Sequence, residues 1–199
     1  VISDEIYEPF NYTGESHVSI AQINQDMKAL TLIVHGVSKS YSMTGWRIGY
    51  VLGNADVIKA IGSLQSHSTS NPTSIAQKAA LEALQGPQDS VDKMVSEFAA
   101  RREHLVSGLN SLPHIHCSMP QGAFYAFPRI DSVFGKRYKG QLIDSSAKFS
   151  ELLLTEARVA LVPGTAFGAE GYVRISYATS LERIQTGLER IGDFLQQID

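Results

Sequence analysis

The chain has 199 residues, of which 43% are hydrophobic and 19% are charged, and this composition predicts a globular fold with a packed core rather than disorder. Lys and Arg total 17 and Asp and Glu total 20, so the formal net charge of -3 gives no support for nucleic-acid binding. No apolar run is long enough to span a membrane, and the single cysteine, Cys117, excludes an internal disulfide and favours a reducing, cytoplasmic environment.

The first half of the chain has an apolar rhythm that alternates between strand and helix periods. The chain starts within a strand-like segment, without a leading Met, and we therefore expect it to be a piece of a longer protein. Compact apolar runs predict a strand at 30–34, buried on both faces, and another at 48–52, with a Gly- and Ser-rich loop at 36–47 between them. A polar loop is predicted at 66–72. Helical spacing is present at 55–64, at 75–84 and from Asp89 or Ser90 onward.

Shorter elements are predicted in the second half of the chain. Strands are expected at 123–127, 159–162 and 172–177, and helices are expected at 145–158 and after the capping-box pair Thr179 and Glu182. In the last of these strands Val173 lies on the apolar face and Arg174 lies on the polar face. The sum predicts an α/β fold with α+β character in the second half.

A lysine in the loop after the strand at 30–34 is the first candidate for chemistry. Lys39 follows a buried type of strand, where desolvation can leave an amine neutral and nucleophilic, as a Schiff-base lysine requires. Arg47 lies near the start of the next strand and can bind a phosphate through two hydrogen bonds, with Ser38 and Ser40 as hydroxyl donors. Taken alone, Lys39 is more simply a solvated lysine and Arg47 the partner of an acidic residue. Together they suit a phosphorylated aldehyde cofactor.

Three further side chains are candidates for roles at such a cofactor or its substrate. Asp4 ends the first strand and could keep a pyridine nitrogen protonated, whereas the alternative is a turn or helix cap. Tyr7 could hydrogen bond to an oxygen on the ring, whereas the alternative is an aromatic residue at the edge of the core. Arg174 on its strand could clamp a carboxylate, whereas the alternative is a surface ion pair. The glycine-bearing segment 164–168 is consistent with a loop near a ligand.

Five segments occur in the order in which a known family has them. They are DEIY at 4–7, SKSYSMTGWRIGY at 38–50, GAFY at 122–125, VPG at 162–164 and YVRISY at 172–177. Through them the chain resembles the C-terminal half of the class I/II aminotransferases, the fold-type I pyridoxal-phosphate enzymes, and it is most similar to the bacterial aspartate aminotransferases. The resemblance covers essentially the whole chain, and its most specific part is the stretch from the lysine to the arginine at 39–47.

The resemblance implies a role for each candidate at the cofactor, pyridoxal 5'-phosphate. Lys39 would form the internal aldimine and then move the proton between the substrate Cα and C4'. Asp4 would pair with the pyridinium nitrogen, and Tyr7 would hydrogen bond to the 3-oxygen. Ser38 and Arg47 would hold the phosphate.

The resemblance implies the substrate contacts and the domain organisation in the same way. Arg174 would bind the substrate α-carboxylate, with Phe124 and Tyr125 on the substrate side. The reaction would be the ping-pong transfer of an amino group from an amino acid, aspartate-like or from a broader range, to a 2-oxo acid. Residues 1–92 would belong to a large cofactor domain with a mainly parallel sheet, and residues 93–199 would form a small α+β domain. The longer protein would be a homodimer with no nucleic-acid or membrane partner, and the chain alone is expected to be inactive as a transaminase.

Two positions depart from the family pattern. Gly36 stands where some members have a serine that binds the phosphate. Ser66 precedes the Ser-Asn-Pro segment at 70–72, at the place where one branch has an arginine for the distal carboxylate. Recognition of a dicarboxylate by that route is therefore not expected.

Two alternative functions use the same residue set or the same fold. A related pyridoxal-phosphate lyase or decarboxylase would share the Lys, Asp, Tyr and Arg residues, because the cofactor carries the chemistry. An aminotransferase-like effector domain of a transcription regulator would have a DNA-binding module before it. A metal site is not expected, because His114 and His116 have no further ligands at metal-binding spacing, and Cys117 is more simply a small buried residue.

Overall fold

The computed structural model describes residues 1–199, which divide into two compact units, Val1–Val95 and Ser96–Asp199. The first unit contains one three-stranded sheet with the order β1-β2-β3. Its strands are β1 (Ile2–Asp4), β2 (Leu32–Gly36) and β3 (Gly49–Leu52). β1 and β2 run parallel whereas β2 and β3 run antiparallel, so the sheet in this chain is mixed.

The first three helices begin at side chains that cap them. The helices that start in this unit are α1 (Gln25–Leu30), α2 (Ala55–Ser68), α3 (Ser74–Gln85) and α4 (Asp89–Ser111). Asn24, Asn54 and Thr73 precede the first three, and each side-chain oxygen accepts a hydrogen bond from a backbone N–H of the first turn. α4 contains the boundary between the two units.

The sheet of the first unit is less buried than its sequence predicts. Leu32, Ile33 and Val34 of β2 are half-buried, so the prediction that this strand is buried on both faces is wrong for this chain. The cause is that the helices and loops of this unit cover only part of the two faces of the three-stranded sheet. Several large apolar side chains of this unit are exposed: Ile2, Leu30, Leu52, Leu64 and Ile75.

The second unit is built on two small antiparallel sheets. In chain order its strands and helices are β4 (Tyr125–Ala126), β5 (Arg137–Tyr138), β6 (Gln141–Leu142), α5 (Ser146–Leu152), β7 (Val162–Pro163), β8 (Val173–Ser176) and α6 (Leu181–Leu195). β8 lies between β4 and β7 and pairs antiparallel with both. β5 and β6 form a hairpin whose two turn residues, Lys139 and Gly140, both have positive φ, as a two-residue hairpin turn requires.

The amphipathic α6 supplies much of the core of the second unit. Four of the five apolar residues that recur along it at helical spacing are buried: Ile184, Leu188, Ile191 and Leu195. The fifth, Leu181, is exposed in the first turn of the helix. Phe194 is buried as well, and its ring stacks on Tyr138 with the centroids 4.2 Å apart.

Two helix ends differ from the prediction by local hydrogen bonding. α2 continues to Ser68, through the first part of the predicted polar loop, and the Ser66 and Ser68 hydroxyls donate to carbonyls of the preceding helical turn instead of favouring a loop. The cap of α6 is Ser180, whose Oγ accepts from the Arg183 N–H, rather than Thr179.

The predicted strands and helix between 123 and 162 are shorter or less regular in the structure. Ala123 has a φ of 57°, so strand pairing begins only at Tyr125. The helix predicted at 145–158 starts as α5 and finishes as a π-helical segment at Leu153–Ala157. The strand predicted at 159–162 is reduced to Val162–Pro163, the part that pairs with β8.

None of the helices in residues 1–199 combines the length and the continuous apolar character needed to cross a bilayer. No group of three or more His, Cys, Asp or Glu side chains in these residues is arranged to hold a metal ion.

Candidate active site

The candidate cofactor residues of the first unit follow one edge of its sheet. Asp4 is the last residue of β1 and is aligned with Val34 of the parallel strand β2. β2 ends at Gly36, which pairs with Gly49 at the start of the antiparallel β3. The loop between β2 and β3 therefore leaves and re-enters the sheet at the edge where β1 ends. This topology places the segments that carry Asp4, Lys39 and Arg47 along the same edge.

Lys39 and Tyr7 are in contact at this edge. The Lys39 Nζ lies over the Tyr7 ring, 5.8 Å from its centroid, and both side chains are half-buried. Tyr7 sits in a turn that follows β1, in which the Phe10 N–H donates to the Tyr7 carbonyl at 2.9 Å. The buried Phe10 ring meets the Tyr7 ring edge-on, with the centroids 6.4 Å apart. The structure thus brings the predicted amine and the predicted phenol together.

Asp4 and Arg47 are both exposed, and neither forms an ion pair. The Asp4 Oδ1 accepts a hydrogen bond from the Ile6 N–H at 3.2 Å, which is the turn role named as its alternative, while the side chain stays exposed. Arg47 follows the short 3-10 helix Thr44–Trp46, has a φ of 52°, and donates from Nη1 to the Thr44 carbonyl at 2.7 Å. No carboxylate pairs with Arg47, so the alternative of an acidic partner is not what the structure contains.

The two serines beside Lys39 have different environments. Ser38 is half-buried, whereas Ser40 is 3% exposed and its Oγ has no hydrogen-bond partner. A buried hydroxyl without a partner is uncommon in folded proteins. Of the two predicted hydroxyl donors, Ser38 is therefore the one with access to solvent and to a ligand.

The sequence gives no signal for a buried carboxylate next to Asp4. Glu5 is 8% exposed, and it accepts hydrogen bonds from Ser19 Oγ at 2.6 Å and Ser3 Oγ at 3.0 Å, with His17 Nε2 at 3.2 Å. Burial raises the pKa of Glu5, but the hydrogen bonds from Ser19, His17 and Ser3 outweigh it and hold the pKa below its ordinary value of 4.5. Glu5 thereby ties the segment around residue 19 to the end of β1.

The candidate substrate residues lie in the second unit, on β4 and β8. Tyr125 pairs with Ser176, and Arg174 is two residues further along β8, so the two side chains are diagonal neighbours on one face of the sheet. The Arg174 Cζ lies 4.4 Å from the centroid of the Tyr125 ring. Arg174 is half-buried and has no acidic partner, so the alternative of a surface ion pair is not present. The N–H donors of this guanidinium remain available to a carboxylate.

Phe124 belongs to the aromatic layer behind Tyr125. Its ring is 4.8 Å from the Tyr125 ring and stacks on Phe98 at 5.5 Å. The Tyr177 N–H donates to the Phe124 carbonyl at 3.0 Å, and the Tyr177 hydroxyl donates to the Ala123 carbonyl at 3.1 Å. The GAFY segment is therefore fixed to the end of β8 through its backbone, which in turn fixes the Tyr125 ring beside Arg174.

One aromatic residue in this cluster has no role in the sequence prediction. The Phe167 ring centroid is 4.6 Å from the Arg174 Cζ, so Arg174 contacts two rings rather than one. The glycines at 164 and 168 marked this segment as a tight turn near a ligand, but nothing in the spacing indicates which side chain the turn presents.

A cavity of about 760 Å³ in the second unit lies apart from these residues. Ile175, which alternates with Arg174 along β8, is one of its lining residues, and so are the exposed Arg158, Arg183 and Arg190. The cavity therefore opens on the other face of β8, and none of the predicted site residues lines it.

The chain is similar to known aminotransferases in sequence and in structure. A family model described as Aminotransferase class I and II matches residues 1–191. The chain belongs to this family. The aspartate aminotransferase of Bacillus sp. (strain YM-2) is 50% identical over 98% of this chain, and the probable aspartate/prephenate aminotransferase of Rickettsia felis is 48% identical over 96%. The resemblance expected from the five sequence segments is thus confirmed.

Solved structures show the same likeness in three dimensions. The crystal structure of the aspartate aminotransferase from Rhizobium meliloti has a TM-score of 0.95 at 43% identity, covering 100% of this chain and 50% of that chain. The aromatic aminotransferase from Pyrococcus horikoshii has a TM-score of 0.89 at 42% identity, covering 98% and 51%. The α/β fold is therefore that of the aminotransferases. The chain spans about half the length of the curated relatives it matches, with 49% of the Bacillus protein and 47% of the Rickettsia protein covered.

The residues at the sheet edge fit the cofactor that this family generally uses. Pyridoxal 5'-phosphate has an aldehyde, a ring nitrogen, a 3-oxygen and a phosphate. The edge offers an amine in Lys39, a carboxylate in Asp4, a phenol in Tyr7, and a guanidinium and a hydroxyl in Arg47 and Ser38. Each polar group of the cofactor therefore has a chemically matched partner in the chain.

Proposed function

We propose that this chain carries the cofactor residues and the α-carboxylate arginine of a pyridoxal-phosphate-dependent aminotransferase. The reaction would transfer an amino group from an aspartate-like or a broader range of amino acids to a 2-oxo acid in two half-reactions. The observation that supports it most directly is the Lys39 amine over the Tyr7 ring, at the sheet edge that also carries Asp4. The amine and the phenol in contact, with the carboxylate at the same edge, match the groups of the cofactor.

The side chains of the first unit would hold the cofactor and move one proton. Lys39 would hold it covalently, and its Nζ would then carry the proton between the substrate Cα and C4'. Asp4 would accept a hydrogen bond from the protonated ring nitrogen, and Tyr7 would donate one to the 3-oxygen. Arg47 and Ser38 would bind the phosphate. When bound, the cofactor supplies an electron sink for the charge that develops on the substrate Cα.

The side chains of the second unit would bind the substrate. Arg174 would bind the α-carboxylate through its paired N–H donors, because no acidic residue occupies them. Tyr125 and Phe124 would form an apolar wall beside that carboxylate. A carboxylate arginine fixed on a strand orients both the amino acid and the 2-oxo acid, since both carry this group.

The finer organisation follows the same proposal. Residues 1–92 would be part of the large cofactor domain and residues 93–199 the small C-terminal domain, in a cytoplasmic homodimer. Relatives named for aspartate, prephenate and aromatic substrates support an acidic or broader donor range. Ser66 is exposed on α2 and offers no guanidinium for a distal carboxylate, so that selectivity would depend on other residues.

The two alternative functions are not favoured. The matching family and the relatives cited for it carry the names of aminotransferases rather than of lyases, decarboxylases or transcription regulators. A lyase would release a 2-oxo acid without an amino acceptor, whereas an aminotransferase requires one, so product analysis separates the two.

Borohydride trapping tests the proposal. The full polypeptide encoded by the gene is incubated with pyridoxal phosphate, reduced with sodium borohydride, digested and analysed by mass spectrometry. We expect a phosphopyridoxyl adduct on Lys39, its loss in Lys39→Ala, and its retention in the control Lys59→Ala, since Lys59 is exposed on α2. An adduct that is absent, or that survives Lys39→Ala, refutes the proposal. Transfer of the amino group to 2-oxoglutarate, assayed with the same preparation, then tests the reaction class.

A further inference from the structure

The glycine-bearing loop between β7 and β8 has a single, tightly bonded conformation. The Gly164 N–H donates to the Tyr172 carbonyl at 2.8 Å, the Ala169 N–H donates to the Gly164 carbonyl at 3.0 Å, and the Tyr172 N–H donates to the Ala169 carbonyl at 3.1 Å. A Cβ on Gly164 would overlap the Ala169 carbonyl, and Gly168 has a φ of 70°. A loop closed at both ends in this way presents its tip residue in a fixed place.

The residue presented by this loop is Phe167. It ends the 3-10 helix Gly164–Phe167, and 47% of its surface is exposed, so it contributes little to the core. Its ring meets the Phe127 ring at 86° with centroids 5.9 Å apart, and Phe127 in turn stacks on Tyr172 at 5.1 Å. Phe167 is exposed and yet fixed by neighbouring rings, so we expect its ring to contact another side chain outside the core.

That contact is with Arg174. The Phe167 and Tyr125 ring centroids lie 4.6 Å and 4.4 Å from the Arg174 Cζ. Ring contacts of this kind restrict the rotamers of a long side chain and leave its N–H donors without a hydrogen-bond acceptor, whereas an ion pair occupies those donors. Arg129 of the same unit shows the other arrangement, because both its Nε and its Nη2 donate to Asp131.

We propose that Phe167 is a positioning residue for Arg174. Together with Tyr125 it fixes the guanidinium before a carboxylate binds, so the entropy cost of ordering this side chain is not part of the binding free energy. This inference rests on the proposed role of Arg174 in binding the substrate α-carboxylate. Because both substrates carry that carboxylate in the ground state and in the transition state, the contribution of Phe167 is to uniform binding.

Phe167→Leu in the cofactor-loaded, gene-encoded polypeptide tests the inference. Loss of one cation–π contact should raise KM about 3- to 30-fold for both L-aspartate and 2-oxoglutarate, with kcat little changed. The Kd of 3-phenylpropanoate, a carboxylate that has no amino group to transfer, should rise by a similar factor in calorimetry. Phe167→Tyr retains a ring and should restore both values to those of the parent protein.

The control is Phe134→Leu, which makes the same change at a half-buried ring of the second unit that has no contact with Arg174. It should leave KM and the probe Kd unchanged. If Phe167→Leu also leaves them unchanged while Arg174→Gln raises them, the inference about Phe167 is overturned and the proposed function stands. If Arg174→Gln itself leaves them unchanged, the carboxylate role of Arg174 fails instead.

Discussion

The buried carboxylate of Glu5 makes a prediction that can be measured by unfolding. Glu5→Gln keeps the shape of the side chain but removes its charge from a site where three donors converge: Ser19 Oγ, Ser3 Oγ and His17 Nε2. The amide oxygen can still accept the two serine hydrogen bonds, so the loss is the charge assistance rather than the contacts. Hydrogen bonds to charged groups contribute about 1.5–3 kcal/mol and neutral ones about 1 kcal/mol. We therefore expect Glu5→Gln to lower the free energy of unfolding by about 1–2 kcal/mol at pH 7.

The pH dependence of this loss has a definite sign. The pKa of Glu5 in the folded chain is held below its ordinary value of 4.5. A depressed carboxyl pKa contributes stability that is present above the unfolded value and is lost as the pH falls through the folded value. The difference between the parent protein and Glu5→Gln should thus be full at pH 7 and should shrink as the pH falls below 4.5.

The measurement is urea unfolding of the gene-encoded polypeptide at several pH values between neutral and acidic. Glu8→Gln is the matched control, because Glu8 is 47% exposed and its only ion-pair partner is His35 at 3.5 Å. That variant should change the unfolding free energy by less than about 0.5 kcal/mol. An equal loss for Glu5→Gln at neutral and acidic pH would mean that the stability comes from packing around residue 5 and not from its charge.

Two further predictions concern the loop of the second unit and the activity of the isolated chain. Gly164→Ala should destabilise the protein by at least about 1–3 kcal/mol, because its Cβ overlaps a backbone carbonyl, whereas Gly187→Ala in α6 has open space and should stabilise by up to about 1 kcal/mol. Equal melting temperatures for the two variants would contradict this. The 199-residue chain by itself should show little transaminase activity, because Arg47 and Ser38 alone are a weak phosphate site. Pyridoxal phosphate titration followed in the visible spectrum, with turnover, checks it, and robust turnover would contradict it.

Much of the fold was predictable because burial and periodicity act over short windows. The apolar runs at 30–34 and 48–52 predicted β2 and β3 to within a few residues, and the capping-box pair Thr179 and Glu182 predicted the start of α6 to within one residue of its cap. What failed depended on the backbone of single residues. Ala123 adopts a positive φ that no pattern of apolar residues reveals.

The grouping of the candidate cofactor residues was predictable for a different reason. Motif order located Asp4, Tyr7 and Lys39, and the strand topology then explains why residues far apart in sequence meet, since a parallel pair brings both carboxyl ends to one edge. Glu5 and Phe167 could not be found in this way. Their positions depend on which side chains a turn or a loop brings beside them, and that information is spread over residues with no fixed spacing.

The contrast between two arginines of the second unit is the strongest argument that Arg174 faces an external anion. Arg129 lies on an exposed bridge and takes Asp131 as its partner, which holds the pKa of that carboxyl below its ordinary range. Arg129 therefore has its acidic partner two residues away in the chain. Arg174 is more buried, yet it is held by Tyr125 and Phe167 and by no acid. Burying a cation without an anion is costly, and the cost is offset when the anion is a ligand that arrives with its own carboxylate.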